Sequence, residues 1–320
     1  MRRATALVLV LGCGQSDGRQ AARPVDSVGP QASSRVVRAY EAWTDHDPSN
    51  SDSTQSRLSK YDAECGPQTG PFELLRLTTP GDQAASIVRE IDRIGVPRMI
   101  DQAFARAAAV LPGPSLTVCV YAGELSRGLP YLGGVGGIAI GGGTVKLFIH
   151  PTKEHFAKVP YTVAHEYHHE VQRAIAPFRG PDDVVIREGK ADHFAVSLYP
   201  DLRPPHTNQL SDQELANVWP AFLEFREGRV AQADFMIAAK GPLPVWAGYR
   251  LAFEMVGHHL ATAGRSSPEE LLKVPSAAII DGFSRSPRIM GIPRHTARHI
   301  PLASAPHGEI MRRYVTSRRP

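Results

Sequence analysis

Cysteine is scarce in this chain, three among 320 residues. Three thiols cannot build a disulfide scaffold or a four-thiolate zinc site, so their positions matter more than their number. Neither sign of charge dominates: 36 Lys+Arg stand against 32 Asp+Glu, a net charge of +4. The pI near 9.0 looks basic, yet no Lys/Arg run is long enough to follow a phosphate backbone, which argues against nucleic acid as a partner. No apolar run approaches the roughly 20 residues of a transmembrane helix, which argues against a multispanning chain. Internal repeats and collagen or coiled-coil patterns are absent. What is present is the composition of an ordinary folded protein, 42% hydrophobic and 21% charged, enough to bury a core. Gly 28 and Pro 27 are a little rich and point to long loops.

The start of the chain reads as an address. Met1-Arg2-Arg3 is basic, Ala4 to Leu11 is a short apolar stretch, and Gly12-Cys13 follows, the layout of an export signal. Val10-Leu11-Gly12-Cys13 resembles a bacterial lipobox, in which cleavage before the cysteine is followed by its lipidation. Residues 1–12 are therefore expected to be a lipoprotein-type signal peptide. Cys13 would carry the lipid anchor, and the protein would be exported and held at the cell envelope on the periplasmic or extracellular face. Residues 13–35, rich in Gly, Pro, Ser and Gln, read as a flexible tether. Cys65 and Cys119 are then two thiols in an oxidising compartment. They can pair or be two separate buried cysteines, and the sequence alone leaves both open.

Apolar residues at three- and four-residue spacing predict helices from Val36 to Ala42 and from Ala84 to Val110, the second broken at Pro97. Leu116–Tyr121, Gly137–Ile140 and Val145–His150 read as strands of a small sheet. The chain then turns helical over 160–176, 182–199, 212–227, 246–263 and 268–274. Ser211 with Glu214 and Ser267 with Glu270 are capping boxes. Residues 36–290 form the folded domain of this reading, and 291–320, with scattered Pro, Arg and His, a loose tail.

The informative segment is Pro160-Tyr-Thr-Val-Ala-His165-Glu166-Tyr-His168-His169, which contains HExxH on a stretch independently expected to be helical. At about 100° per residue, His165 and His169 lie about 40° apart at the edge of the apolar arc. Both imidazoles leave the helix toward one point. They can take two corners of a tetrahedral Zn²⁺ site, and Glu166 can reach a water on the same ion. With 13 histidines in the chain, a chance HExxH arises on the order of a few times in a hundred, so a second signal is needed.

It comes nineteen residues after His169, in Arg187-Glu188-Gly189-Lys190-Ala191-Asp192. Glu188 and Asp192 fall in the middle of an apolar arc, a costly place for two carboxylates unless they are paired or bind metal. A zinc ion on two histidines supplies the charge that makes Glu188 a third ligand. Asp192, one turn on, can accept the other ring N–H of a ligand histidine. HExxH followed by ExxxD on the next helix resembles the gluzincin, thermolysin-like group of zinc metallopeptidases. HEYHH, EGxAD and Gly248-Tyr249-Arg250 are also similar to a bacterial family described only as predicted zinc-dependent proteases, over roughly residues 130–274. The resemblance implies an α+β, zincin-like fold: a small N-terminal sheet with helices, the active-site helix, then a mainly helical part. It implies one Zn²⁺ per chain held by His165, His169 and Glu188, with Glu166 as general base and Asp192 orienting a histidine, but it does not carry the substrate over. The leading reading is a membrane-tethered zinc metallopeptidase whose partner is a peptide or protein substrate.

The remaining site is less defined. Gly141-Gly142-Gly143 leading into Val145–His150 is a candidate for the edge strand that holds an extended peptide, or else a plain hairpin turn. Tyr249, Arg250, His206 and Arg187 are candidates to stabilise an oxyanion, with Tyr249 favoured. His168 points at the wrong angle for the shared ion and reads as a group on the helix surface or behind the ligands, and His258-His259 as having no metal role. The competing reading is a non-catalytic zinc-binding lipoprotein or binding module, in which a fourth side chain such as His168, His193 or His206 closes the site. A zinc hydrolase acting on a non-peptide amide or ester is a third.

Overall fold

The structure, a computed structural model, describes residues 32–43, 56–66, 81–122, 134–149, 156–176, 178–238, 241–264 and 266–292. The export signal, Cys13, the tether up to residue 31 and the tail beyond residue 292 lie outside the described residues. The described chain is mixed α and β, mostly helical, with one sheet of four strands.

The strands are β1 (Ser34–Val37), β2 (Leu116–Ala122), β3 (Val135–Gly141) and β4 (Thr144–Ile149), in the order β1-β2-β4-β3. β1, β2 and β4 are parallel, and β3 runs antiparallel to β4. Two expectations are corrected here. The apolar spacing from Val36 to Ala42 does not form an α-helix: it is β1 followed by a 3₁₀ turn over Ala39–Trp43. So short a segment carries too little periodicity to separate the two, and pairing with β2 decides. The segment after the glycine triplet is not an edge either. β4 is internal, the triplet is the hairpin turn, and the edge belongs to β3.

The helices are α1 (Asp62–Cys65), α2 (Gly81–Ile94), α3 (Val96–Val110), α4 (Val159–Ile175), α5 (Pro181–Leu198), α6 (Asp212–Arg226), α7 (Gln232–Met236), α8 (Ala247–Ala263), α9 (Pro268–Lys273), α10 (Ser276–Ser284) and α11 (Pro287–Met290). The predicted long helices are present within a few residues, and both capping boxes form. The break between α2 and α3 falls at Gly95, with Pro97 in the first turn of α3, where its missing N–H costs nothing. Cys65 and Cys119 form a disulfide with their Cα atoms 5.9 Å apart, tying α1 to β2.

Two apolar cores divide the molecule. One joins the sheet to α3 and α4 through residues such as Phe104, Val118, Leu147 and Tyr167. The other is helical, built from α5, α6, α8 and α10 around Phe222, Leu251, Met255 and Ile279. α5 belongs to both, giving Phe194 and Leu198 to the first and Val185 and Ile186 to the second. Gly189 sets how closely α5 meets α8, because a Cβ there would lie 2.3 Å from the Ala252 carbonyl oxygen. The Glu188-Gly189 pair thus joins a site carboxylate to a residue that only glycine can be. α4 and α5 pack side by side at the seam of the two cores, and the charged residues of both meet there.

Candidate metal centre

α4 is anchored to the sheet side by Tyr167. Its ring meets Phe104 edge-on at 5.4 Å, and its hydroxyl donates to the Leu111 carbonyl at 2.8 Å. With Val163, Ala164 and Val171 also buried, the rotation of α4 is fixed, and His165 and His169 turn toward α5. Nε2 of His165 and Nε2 of His169 are 3.0 Å apart. Oε2 of Glu188 lies 3.2 Å from the first and 3.3 Å from the second.

These three distances describe one face of a small tetrahedron. Zinc bonds of about 2.0–2.1 Å at tetrahedral angles separate ligands by roughly 3.3–3.4 Å. One Glu188 oxygen accepting from both imidazoles would leave two N–H groups facing each other at 3.0 Å, whereas one cation in the middle meets a lone pair of all three atoms. The donor set, two nitrogens and one oxygen, suits Zn²⁺. Among the described residues, His165, His169 and Glu188 form the group able to hold a metal, and all three are buried.

Asp192 is fully buried one turn after Glu188. Its Oδ1 accepts from the Tyr161 hydroxyl at 2.7 Å and lies 3.3 Å from Nε2 of His206. The same oxygen is 2.8 Å from Nδ1 of His165, in an oblique approach. Burial would raise the Asp192 pKa, but His206 and His165 reverse that and hold it well below the usual carboxylate range. Glu188 behaves alike: burial pushes its pKa up, and the facing His169 and His165 bring it down to about 2. His165 is made more basic, Asp192 overcoming the burial that opposes it. A more basic imidazole is a better metal ligand.

Glu166 points the other way, to the sheet. Its Oε2 accepts from the Ala139 N–H at 2.8 Å. Burial raises its pKa, partly offset by His165 and His169. The approach to β3 is close: a Cβ on Gly137 would fall 2.5 Å from Cγ of Glu166. One turn on, Glu170 accepts from the Gly141 N–H at 2.7 Å and the Gly143 N–H at 2.8 Å, and Arg173 donates to the Ala139 carbonyl at 2.9 Å. α4 therefore grips the β3–β4 hairpin with the face that carries Glu166.

A cleft opens onto this cluster. His165, Glu166, His169 and Glu188 line it with Tyr161, His206, Tyr249 and residues 135–139 of β3. Of the oxyanion candidates, His206 and Tyr249 are in the cleft. Arg250 is not: it pairs with Glu214 and donates to the Asn208 and Gln209 carbonyls. Arg187 lines a different cavity. Of the two readings of His168 the helix surface is excluded and a place behind the ligands remains: it is buried against Phe194, because α4 is covered along the whole of His165–Gln172. His193 faces the Phe253 carbonyl at 2.8 Å, and His258 packs against Phe283.

Sequence reasoning missed Tyr161, Glu170, Arg173 and Gly137. Tyr161 was open to it, one turn before His165 on the same helix face. The others depend on where β3 docks, which no local pattern announces. Neither the curated proteins nor the solved structures contain a match to the chain. A sequence model of one protein family does match residues 96–281, more than half the chain and including both site helices. On that match the chain belongs to the family described as predicted Zn-dependent proteases (DUF2268).

Proposed function

We propose that this protein is a zinc-dependent peptidase of the gluzincin type on a zincin-like fold, hydrolysing peptide bonds with Glu166 as general base. The observation that carries the reading is the convergence of His165, His169 and Glu188 at 3.0–3.3 Å from one another, with the Glu166 carboxylate on the next residue of the same helix. Bound at those atoms, Zn²⁺ would supply the Lewis acidity that makes water a nucleophile near neutral pH and polarises a carbonyl. Glu166 takes the proton of the attacking water on its carboxylate and gives it to the leaving amine. Asp192 orients His165, and Tyr161 and His206 hold Asp192. His206 and Tyr249 are the side chains of the cleft placed to donate to an oxyanion. An extended peptide would lie along the β3 edge at Gly137.

The three-donor set favours catalysis over a structural site, which uses four protein ligands, and a structural site has no use for Glu166. The Cys65–Cys119 disulfide supports residence in an oxidising compartment. The export signal and the lipid anchor at Cys13 are part of this proposal. Among the described residues no helix is long and apolar enough to cross a membrane. Purified full-length protein should contain one zinc per chain and cleave peptides. Glu166→Gln should keep the zinc and lose cleavage, by about 10²–10⁴-fold for the general-base contribution. Full cleavage by a zinc-loaded Glu166→Gln protein would overturn the mechanism.

A further inference from the structure

A second cavity, of about 860 Å³, lies on the other side of α5, between its first turns, the end of α4 and the segment 272–277. Arg187 lines it and is 5% exposed. Among the described residues, its Nε and Nη2 have no hydrogen-bond partner. Lys190, one turn on, is also buried in this wall, and donates only to the Leu272 carbonyl at 3.3 Å and the Val274 carbonyl at 2.7 Å. The acids in the lining are engaged elsewhere. Asp182 takes both arms of Arg226, at 2.6 and 2.9 Å. Asp183 accepts from the Ser276 hydroxyl and the Arg179 N–H, and Glu227 pairs with Arg229.

Asp183, held by neutral donors, keeps its charge and acts on Lys190, whereas among the described residues no carboxylate of the lining pairs with the buried Arg187 guanidinium. A buried, unpaired guanidinium costs several kcal/mol unless an anion meets it. The mouth of the cavity has the opposite character. Of the six large hydrophobic residues exposed among the described ones, Ile175 and Leu223 line it, and the ring of Phe178 lies 6.0 Å from the Arg187 guanidinium. Charge at the wall with apolar side chains at the rim is a combination that an inorganic anion does not use.

We propose that this cavity is a binding site, separate from the metal centre, for a carboxylate carried on an apolar body. Arg187 takes the carboxylate, and Ile175, Phe178 and Leu223 cover the apolar part. The carboxyl end of a peptide with an apolar last residue and a free aliphatic acid share this chemistry. The test is calorimetric titration of the full chain with N-acetylleucine, N-acetylleucinamide, octanoate and sodium sulfate, each with and without a chelator so that a carboxylate on a metal is recognised. N-acetylleucine should bind at least about tenfold tighter than its amide, the worth of one charge-assisted hydrogen bond, and tighter than sulfate, with the chelator making no difference. Tighter binding of acetyl-Ala-Ala-Leu than of octanoate assigns the site to peptide termini, and the reverse to free acids. Arg187→Met should lose the binding and, with no ligand present, unfold at the parental temperature or above, because it removes an unneutralised charge. Equal binding of acid and amide, binding abolished by the chelator, binding kept in Arg187→Met, or a ligand-free Arg187→Met that unfolds earlier than the parent would each overturn the proposal.

Discussion

Replacing Gly137 by alanine adds one methyl group and should cost most of the activity while sparing the metal. The new Cβ would lie 2.5 Å from Cγ, 2.9 Å from Cδ and 2.7 Å from Oε1 of Glu166. Relief cannot come from the tip of the side chain alone, because Cγ is among the clashing atoms. β3 cannot easily retreat, since Glu170 and Arg173 hold the hairpin through Gly141, Gly143 and Ala139. Glu166 must therefore change rotamer and give up the Ala139 N–H. Losing that charge-assisted bond costs about 1.5–3 kcal/mol, and any residual crowding about 1–3 kcal/mol more. On the proposed mechanism, a displaced Glu166 forfeits a general-base contribution of about 10²–10⁴ in kcat. Zinc content should not change, because no ligand atom is touched. The assay is kcat on a peptide substrate, with metal analysis and a thermal midpoint on the same samples. Gly282→Ala is the control. A Cβ there meets nothing within 4 Å inside α10, so it should stabilise by about 0.5–1 kcal/mol and leave kcat alone. A Gly137→Ala protein with parental kcat would refute the placement of Glu166 against β3.

Asp192→Asn should weaken zinc binding about 10–100-fold, read by competition with a chromophoric chelator. Tyr161→Phe removes a single hydrogen bond to the ionised Asp192 and should cost about 1.5–3 kcal/mol in unfolding experiments. The Cys65–Cys119 bridge spans a sequence separation of 54, for which the chain-entropy account gives about 4 kcal/mol. Urea unfolding of the oxidised protein against the Cys65→Ala/Cys119→Ala protein measures it. Equal midpoints would show that the bridge does not restrict the unfolded chain.

The convergence of the candidate donors is legible in the sequence because its signal is local. His165 and His169 share a helix face by spacing alone, and Glu188 and Asp192 stand out as carboxylates within an apolar arc. Burial is a cost that sequence periodicity can display, and the structure buries both. β1 was not legible: four residues hold too little periodicity, and their strand character comes from β2, some eighty positions away. His168 stays between the helix surface and a place behind the ligands in the sequence, because one helix in isolation does not show what covers it; α3, the sheet and α5 together leave α4 no solvent face over His165–Gln172. Arg187, an oxyanion candidate in the sequence, directly precedes Glu188 on α5. One residue along a helix turns a side chain by about 100°, and here that sends it into the other cavity.

The grip of α4 on the hairpin also bears on where a substrate could lie. Both outward backbone groups of Ala139 are engaged, its N–H by Glu166 and its carbonyl by Arg173. An antiparallel ladder alternates residues that face the partner strand with residues that face away, so Gly137 presents its N–H and carbonyl on the same side as Ala139. The edge is thus closed at Ala139 by two side chains of α4 and open one step earlier. On the proposed reading, a peptide added to β3 would pair at Gly137 and could not continue its ladder past it. It would run out of strand partners beside Glu166, which lies against Gly137. The glycine that lets the carboxylate approach the strand would then also mark the end of the peptide's pairing. Specificity carried by backbone pairing should therefore come from substrate residues on the Val135 side of the scissile bond, and side chains on the other side would be read by the cleft wall at His206 and Tyr249.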